Sequence, residues 1–391
     1  MDTIESSFLR LKKYCEEECF RGWDPFDGLN SRIFQGLPLR NSRLARLVWI
    51  QLFKKSPVNF RKLALVPKDY NNKGLGLFLL GYCNLYKIEQ KEEYLNKINF
   101  LALKLIENKN SKFAGACWGY NFDWQARAFF QPKNYPTVVA TNFIANALLN
   151  AYEITQNEVY KTTACSAAEF VYSDLNRTTD DDGDFCFSYS PLDNTQIFNA
   201  SLLGSQLLAR VYSMDKNEVY KEAALKSVRY CCKRQQENGA WAYGTLPFHQ
   251  WIDNFHTGYN LVCLADFANY TDIESFNVNI EKGFTYYIST FFTDNGESKY
   301  YNNKLYPIDI HAPAQLVITL SKLSKFKENL NLVSNVLSWT VKNMQHSDGY
   351  FYYQYKPRYL CRIPYIRWAQ AWMFYALSEY KKLNKTNKNG L

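Results

Sequence analysis

A repeated turn is the feature that most constrains how this chain folds. Glycine–aromatic stretches recur five times: GACWGYNFDW around Gly119, DDGDFCFSY around Gly183, ENGAWAYG around Gly239, a weaker DNGESKYY around Gly296, and SDGYFYYQY around Gly349. Successive turns lie 53 to 64 residues apart, and each interval holds two apolar patterns of helical period separated by a short polar break. The sequence therefore predicts a series of stacked helical hairpins.

Five complete hairpins can be identified between residues 73 and 346. The first helix of each is apolar on nearly all sides, as in FIANALLNAY, whereas the second carries Lys and Glu on one face. Such a hairpin cannot bury its own apolar face and must stack on neighbours. We predict an all-α, single-domain (α/α)6 toroid with a buried inner ring and a solvated outer ring; an open helical solenoid is the alternative.

The chain ends lie outside the repeat. The last helix has no downstream partner, and we expect a helix near 41–55 to close the ring with it. We predict an N-terminal helical extension over 1–40, the toroid over 41–384 and a polar tail over 385–391.

Composition and charge narrow the class of protein. The 391 residues are 47% hydrophobic, enough for a large core, and the net charge is +9. No run approaches the roughly 18 apolar residues of a membrane span and no secretory signal is evident, so we expect a cytoplasmic protein without a transmembrane segment. The ten cysteines include no CxxC pair and fit reduced thiols. Without a nucleic-acid-binding signature, no nucleic-acid partner is expected.

We predict no bound metal and no cofactor. The DDDGD stretch at 180–184 lies in a glycine turn, where carboxylates commonly cap a bend, and its spacing does not match a calcium loop. Cys263 follows His256 by seven residues, but no second His or Cys has zinc spacing. Acidic clusters of the terpene-cyclase kind are not seen.

Four phrases carry a family resemblance: CWGYNFDWQARAFF, DNFHTGYNLVCL, DIHAPAQLVITL and IPYIRWAQAWMFYAL. With the turn and inner-helix pattern, they resemble the six-hairpin glycosidase-like superfamily over roughly residues 40 to 383. That group includes unsaturated glucuronyl hydrolases, helical domains of uronate lyases and C5-epimerases, and N-acylglucosamine 2-epimerases. The phrases are also similar to proteins encoded with bacterial surface-polysaccharide genes. The resemblance implies a carbohydrate-active toroid whose partner is an oligosaccharide or polysaccharide. Acidic and lipid-linked glycans are among the candidates, and the positive net charge favours an acidic one.

Polar side chains concentrate in the first turns of the proposed inner helices, which become apolar further on. Inner helices of a toroid run parallel, so we expect these ends and the loops before them to meet at one mouth. The candidate catalytic residues there are Asp123, Asp253, His256, Tyr259, Asp309, His311 and Arg367. The candidate substrate-binding residues are Trp118, Tyr120, Trp124, Asn142, Asn199, Asn254, Gln315, Tyr365, Trp368 and Gln370.

Structural roles compete with these assignments. Asp253 and Asp309 stand where helix N-caps belong, and His256 fits a hydrogen-bonded core histidine. Arg367 lies in an apolar helix, so its burial requires a carboxylate partner or an anionic ligand. His249 and His346 receive no assigned role.

Two reaction classes use these residue types. Glycoside hydrolysis needs a carboxylic acid and a second carboxylate, for which Asp123, Asp253 and Asp309 are the candidates, with Asp123 the better acid. Uronate elimination or C5-epimerisation needs a base, a donor to the carboxylate and an acid, and His256, Tyr259, Asn254 and Arg367 fit those roles by type. Cleavage of a glycosidic bond is the first prediction; the alternatives are a lyase or epimerase, and a glycan-binding toroid without catalysis.

Overall fold

The computed structural model describes residues 3–127 and 129–388. Fourteen α-helices lie in these two ranges: α1 (Thr3–Glu17), α2 (Arg32–Gly36), α3 (Arg43–Lys55), α4 (Asn72–Ile88), α5 (Glu92–Glu107), α6 (Val138–Thr155), α7 (Glu158–Glu169), α8 (Phe198–Asp215), α9 (Glu218–Cys232), α10 (Asn254–Thr271), α11 (Asn277–Phe291), α12 (His311–Lys322), α13 (Leu330–Met344) and α14 (Trp372–Lys388). A π-helical segment, Ile366–Ala371, leads directly into α14.

Six helices form a closed inner ring. Each of α4, α6, α8, α10, α12 and α14 contacts the next, and α14 contacts α4. These helices are buried on most sides, as their sequences predict; α8 buries every residue from Phe198 to Tyr212. The outer helices α5, α7, α9, α11 and α13 follow their inner partners after short connections and so run antiparallel to them. The predicted (α/α)6 toroid is confirmed.

Local sequence signals set the hairpin turns. Inner helices α6 and α8 are followed by the C-cap residues Gln156 and Lys216, which adopt left-handed backbone angles. The next residue in each case, Asn157 or Asn217, accepts a hydrogen bond from the backbone N–H two residues on and caps the outer helix. In both hairpins, therefore, a left-handed residue followed by an Asn cap reverses the chain direction between the inner and the outer helix.

The sixth outer helix is α1, which contacts α13 and α14. Our prediction that a helix near 41–55 closes the ring is wrong, because α3 contacts the 3-10 turns Asp27–Asn30 and Pro38–Asn41 instead. The reason is packing: α1 buries five side chains of one face, whereas α3 buries only Ile50 and Phe53. With α1 in the ring, residues 3–17 belong to the toroid, which the predicted division at residue 40 did not include; the boundary at 384 stays a prediction. Of the predicted tail, 385–388 continues α14 and 389–391 lies outside the described residues.

The glycine turns show the same ring order. Gly239, Gly296 and Gly349 have φ of +92°, +86° and +99°. A Cβ added at Gly239 would lie 2.3 Å from Lys282 O of α11, and one at Gly349 would lie 2.3 Å from Arg10 O of α1. The glycine after each of these outer helices therefore packs against the backbone of the next one, and α1 takes the position after α13.

Replacing Gly349 with alanine is expected to destabilise the fold by about 3 kcal/mol, of which about 1 comes from the left-handed backbone and about 2 from the collision with Arg10 O. Gly183→Ala is the matched control, because Gly183 also has positive φ (+80°) but no atom within 4 Å of an added Cβ. The control should cost only about 1 kcal/mol in urea denaturation. Equal losses for the two variants would contradict the proposed docking of α1.

Short strands and loops cover the N-terminal ends of the inner helices. The described strands are β1 (Trp124–Gln125), β2 (Phe130–Gln131), β3 (Arg177–Thr179), β4 (Phe185–Phe187), β5 (Lys299–Tyr301), β6 (Lys304–Asp309), β7 (Gln354–Lys356) and β8 (Tyr359–Cys361). All pair antiparallel, and the largest sheet has the order β5-β6-β7-β8. Because β6 ends just before α12 and β8 just before the π-helical segment, this sheet lies at the mouth of the ring.

Candidate functional site

A cavity of about 630 Å³ lies at the N-terminal ends of the inner helices. All six inner helices, or the residues just before them, contribute to its lining: Lys73, Val139, Asn199, His256, His311 and Arg367. The expectation that these ends converge on one mouth is met. Five basic side chains and three of the four histidines line the cavity, whereas no Asp or Glu does so among the described residues.

His256 is held by Asp253, the N-cap of α10. One Asp253 carboxylate oxygen accepts from the His256 backbone N–H at 2.9 Å, and the other lies 2.7 Å from His256 Nδ1. The Asp253 side chain is buried, whereas that of His256 is 20% exposed and lines the cavity. A buried carboxylate at Nδ1 favours the tautomer with the proton on that nitrogen, which leaves Nε2 as the base.

A second polar group joins α4, α10 and α12. Tyr259 Oη lies 2.8 Å from His311 Nε2 and accepts a 3.4 Å hydrogen bond from Lys73 Nζ. All three residues are buried, and all three line the cavity. Burial raises the pKa of Tyr259 well above its usual range, so the hydroxyl stays protonated.

Lys73 has an unusual environment for a lysine. Its Nζ lies 4.2 Å from the ring centre of Phe143 and 5.3 Å from those of Tyr259 and Trp372. Burial, followed by the charge of Arg367, holds the pKa of Lys73 well below its ordinary value. No carboxylate forms an ion pair with it in the described part of the chain, so the uncharged amine is favoured.

Arg367 has the carboxylate partner that its burial required. Its Nε and Nη2 donate to the two oxygens of Asp24 at 2.6 and 2.8 Å. Arg61 joins this buried group, with Nη2 donating to Asp24 O and Nε to Asp27 Oδ1, both at 2.7 Å. The network holds residues 24–27 against the start of the last inner helix.

Nine of the predicted site residues do not line the cavity. Asp309 is fully buried, accepts from Trp368 Nε1 at 2.8 Å and from Gln354 Nε2 at 2.7 Å, and has its pKa raised to about 6 by burial. Asp253 supports His256 as described. Asp123 accepts from the Lys133 backbone N–H at 2.7 Å in its loop, so it closes a turn.

The six other residues outside the lining are predicted substrate-binding residues whose side chains make structural contacts. Trp118 Nε1 donates to Leu105 O, Asn142 bonds Leu203 O and Gln206, Asn254 accepts from Tyr287 of α11, Gln315 bonds Thr319, Tyr365 packs under Arg61, and Gln370 bonds the Phe351 backbone. The predicted residues that do line the cavity are Tyr120, Trp124, Asn199, His256, Tyr259, His311, Arg367 and Trp368.

Several lining residues escaped the sequence reasoning. Lys73 is the most informative of them. Asp24, which does not line the cavity but holds Arg367, was also missed, and neither residue lies in a polar cluster that marks it. His249, to which no role was assigned, lines the cavity, and burial lowers its pKa. Tyr243 and Trp251 also line the cavity and stack on one another with ring centres 4.2 Å apart. Aromatic faces of this kind suit sugar rings.

Acid is expected to weaken the fold through His311. Burial, and then the charges of Lys73, His256 and Arg367, hold the pKa of His311 well below 6.5. The unfolded state therefore takes up a proton below about pH 6.5 while the folded imidazole stays neutral, and stability falls as pH drops. Between about pH 6 and 5, the wild type should lose roughly 1.4 kcal/mol per pH unit more than His311→Gln in urea denaturation. Parallel stability curves for the two proteins would contradict this.

The chain is similar in structure to solved sugar enzymes. A cellobiose 2-epimerase from Bacillus thermoamylovorans matches with a TM-score of 0.61, covering 81% of this chain and 90% of its own at 13% identity. A GH76 alpha-mannanase from Bacteroides thetaiotaomicron matches with a TM-score of 0.60, covering 80% of this chain and 87% of its own at 13% identity. An unsaturated glucuronyl hydrolase from Bacillus sp. GL1 matches with a TM-score of 0.63, covering 98% of this chain and 96% of its own at 10% identity. These likenesses establish the six-hairpin toroid fold.

The comparisons of sequence gave no match. No protein-family model matches this chain, and no curated protein sequence matches it either. Across the described residues, no helix is long and apolar enough to cross a membrane. The same residues contain no group of three or more His, Cys, Asp or Glu side chains arranged to hold a metal ion.

Proposed function

We propose that this protein is a carbohydrate-active enzyme that moves a proton at a carbon next to a carbonyl or carboxylate group of an anionic sugar, as an epimerase or a lyase does. The observation that carries this proposal is the chemistry of the cavity lining, which has five basic side chains and three histidines but no described Asp or Glu. The names of the structural neighbours, an epimerase, a mannanase and a glucuronyl hydrolase, support a sugar as substrate.

His256 is the base in this proposal. Asp253 accepts at Nδ1 and stabilises the imidazolium that forms when Nε2 takes a proton from carbon. The two residues belong to one helix turn, so the imidazole is oriented before substrate binds. A base held in this way needs no second carboxylate in the cavity.

Tyr259, His311 and Lys73 form the acid side. In this proposal the Tyr259 hydroxyl gives its proton to the substrate, and the tyrosinate that remains accepts a hydrogen bond from Lys73 at 3.4 Å, lies 2.8 Å from His311 and regains a proton from solvent. Lys54, Lys55 and Arg127 also line the cavity without an ion pair to a described carboxylate, and they supply positive charge for the enolate-like anion that proton removal creates, whereas the charge of Arg367 is matched by Asp24. This positive lining also supports an acidic substrate.

Cleavage of a glycosidic bond, our first prediction from sequence, has weaker geometric support. It requires two carboxyl groups on either side of the scissile bond. Asp123 bonds its own loop, Asp309 is enclosed with both oxygens in hydrogen bonds, and Asp253 lies behind His256, so none of the three carboxylates lines the cavity. Proton transfer by His256 is therefore the better match.

The biological setting remains part of the proposal. Similarity of four sequence phrases to proteins encoded with bacterial surface-polysaccharide genes supports a role in that metabolism, in the cytoplasm, on an acidic or lipid-linked glycan. The rival non-catalytic hypothesis is a toroid that binds such a glycan without turnover.

Product analysis on a panel of uronate-containing and neutral oligosaccharides separates these hypotheses. The proposal expects either a change of configuration without cleavage, seen by NMR, or a conjugated unsaturated product, seen by ultraviolet absorbance. New reducing ends without unsaturation would identify a hydrolase and overturn the proposal. Tight binding with no product from any bound sugar would identify the glycan-binding toroid.

A further inference from the structure

The net positive charge of this protein comes from one segment. Residues 28–68, which we call the basic segment, contain nine Lys and Arg residues and no Asp or Glu. The rest of the chain has 37 basic and 37 acidic residues, so the basic segment accounts for the whole net charge of +9. Although basic residues occur throughout the chain, their excess does not.

The basic segment also exposes apolar side chains. Among the residues whose burial is described, twenty large hydrophobic residues are exposed, and half of them belong to it: Ile33, Leu37, Leu39, Leu44, Val48, Leu52, Val58, Phe60, Leu63 and Leu65. Leu63 and Leu44 are 76% and 71% exposed. A concentration of this kind on a folded surface usually marks a site of interaction.

Helix α3 displays the pattern most clearly. Its inner face is anchored by buried Ile50 and Phe53 and by Trp49, whose Nε1 donates to Gly28 O at 2.9 Å. On the opposite side, Leu44, Val48 and Leu52 follow one another at intervals of four residues and form an exposed stripe. The helix is thus held in place with an apolar stripe turned to solvent.

Most charges of the basic segment lack an acidic partner in the described part of the chain. Arg61 pairs with Asp27 and Lys68 with Glu18. The other seven basic residues of the segment form no ion pair with a described carboxylate: Arg32, Arg40, Arg43, Arg46, Lys54, Lys55 and Lys62. An anionic partner would therefore meet unpaired charge.

We propose that the basic segment docks on the surface of an anionic lipid bilayer. Exposed aliphatic side chains among single-sign positive charges are the combination that binds lipid headgroups and the acyl boundary. A protein partner is less favoured, since protein interfaces are enriched in aromatic residues and depleted in Lys, whereas nine of the ten exposed apolar residues here are aliphatic.

Docking would bring the cavity to the bilayer. Leu47, Gln51 and Lys54 of α3 line the cavity, while the exposed stripe of the same helix faces away from its packed side. If the proposed function holds, a sugar attached to a lipid could enter from the headgroup layer. Bilayer docking itself does not depend on that reaction, because binding and turnover are measured separately.

Co-sedimentation of the full chain with vesicles tests the docking. The protein should pellet with phosphatidylglycerol–phosphatidylcholine vesicles at low salt, should be released as salt is raised, and should not pellet with phosphatidylcholine alone. The combined variant Leu44→Ser, Val48→Ser, Leu52→Ser should bind the anionic vesicles at least about ten-fold more weakly than the wild type. Charge reversal by Arg32→Glu with Lys62→Glu should also weaken binding.

A matched control removes equally exposed apolar residues elsewhere. Val159→Ser, Val219→Ser and Val278→Ser lie at the N-terminal ends of three outer helices, at the end of the ring opposite the cavity, and should leave vesicle binding unchanged. No binding of the wild type to anionic vesicles would overturn the proposal and leave a protein partner for this surface. Concentration-dependent dimers that the α3 triple variant dissociates would also overturn it, as the surface would then join two copies.

Discussion

Replacing His256 with glutamine is expected to reduce turnover by about 10²–10⁴-fold, the range usually lost with a general base. The fold should survive, because the side chain is only partly buried and the Asp253 cap bonds the backbone N–H of residue 256. His346→Gln is the matched control, since His346 lies in a turn outside the cavity lining and should keep full activity. Turnover is compared at saturating substrate, with melting curves for each protein.

Asp253→Asn distinguishes orientation from a merely structural contact. The amide oxygen can still cap the helix, but the amide nitrogen cannot accept from His256 Nδ1–H. We expect lower kcat and an altered pH profile with nearly unchanged stability. Full turnover by a folded His256→Gln variant would show that His256 is not the base.

Removing either partner of the buried Asp24–Arg367 pair is expected to cost about 3–5 kcal/mol of unfolding free energy, because the other charge is left buried without compensation. Asp24 is 2% exposed and Arg367 is 4% exposed, and two hydrogen bonds of 2.6 and 2.8 Å join them. Asp24→Ala and Arg367→Ala should each lower the urea midpoint strongly. The loss should exceed that for the exposed pair Lys87–Glu153, where Lys87→Ala should change stability by less than about 1 kcal/mol.

A double variant sharpens this prediction. Asp24→Leu with Arg367→Met removes both charges and keeps much of the volume, so it should be more stable than either alanine variant. Additive losses in the double variant would mean that the two residues contribute independently. Activity is expected to fall in all three proteins, because Arg367 also lines the cavity.

The fold could be predicted because its repeat is local in sequence. Each glycine–aromatic turn and each apolar helix pattern lies within about 60 residues, and together they define the ring. The closing helix could not be predicted in the same way. Helices α1 and α3 have similar apolar patterns, and only the packed structure shows that α1 fits between α13 and α14.

The location of the site could be predicted from the sequence, but the side chains that line it could be predicted less well. Helix starts marked the mouth, but neighbouring residues on a helix point about 100° apart, and small rotations decide which reaches the cavity. Thus His256 lines it, whereas Asn254, predicted to bind substrate, is fully buried against Tyr287. Lys73 was missed because a single Lys in the first turn of an apolar helix resembles an ordinary helix start.

Partners distant in sequence were also invisible. Arg367 indicated that a carboxylate or an anion was needed, but 343 residues separate it from Asp24. Likewise, Asp309 resembled a catalytic carboxylate until its contacts with Trp368 and Gln354 were known. Long-range hydrogen bonds of this kind depend on the folded ring and not on local pattern.

Solvent deuterium incorporation tests the central claim most directly. The wild-type enzyme is incubated in D₂O with an anionic sugar that it binds, and the recovered sugar and product are examined by NMR and mass spectrometry. Proton transfer at carbon predicts deuterium at the carbon next to the carbonyl or carboxylate, or loss of that hydrogen in an unsaturated product, with neither change in His256→Gln. New reducing ends with no deuterium on carbon and no unsaturation would contradict the account.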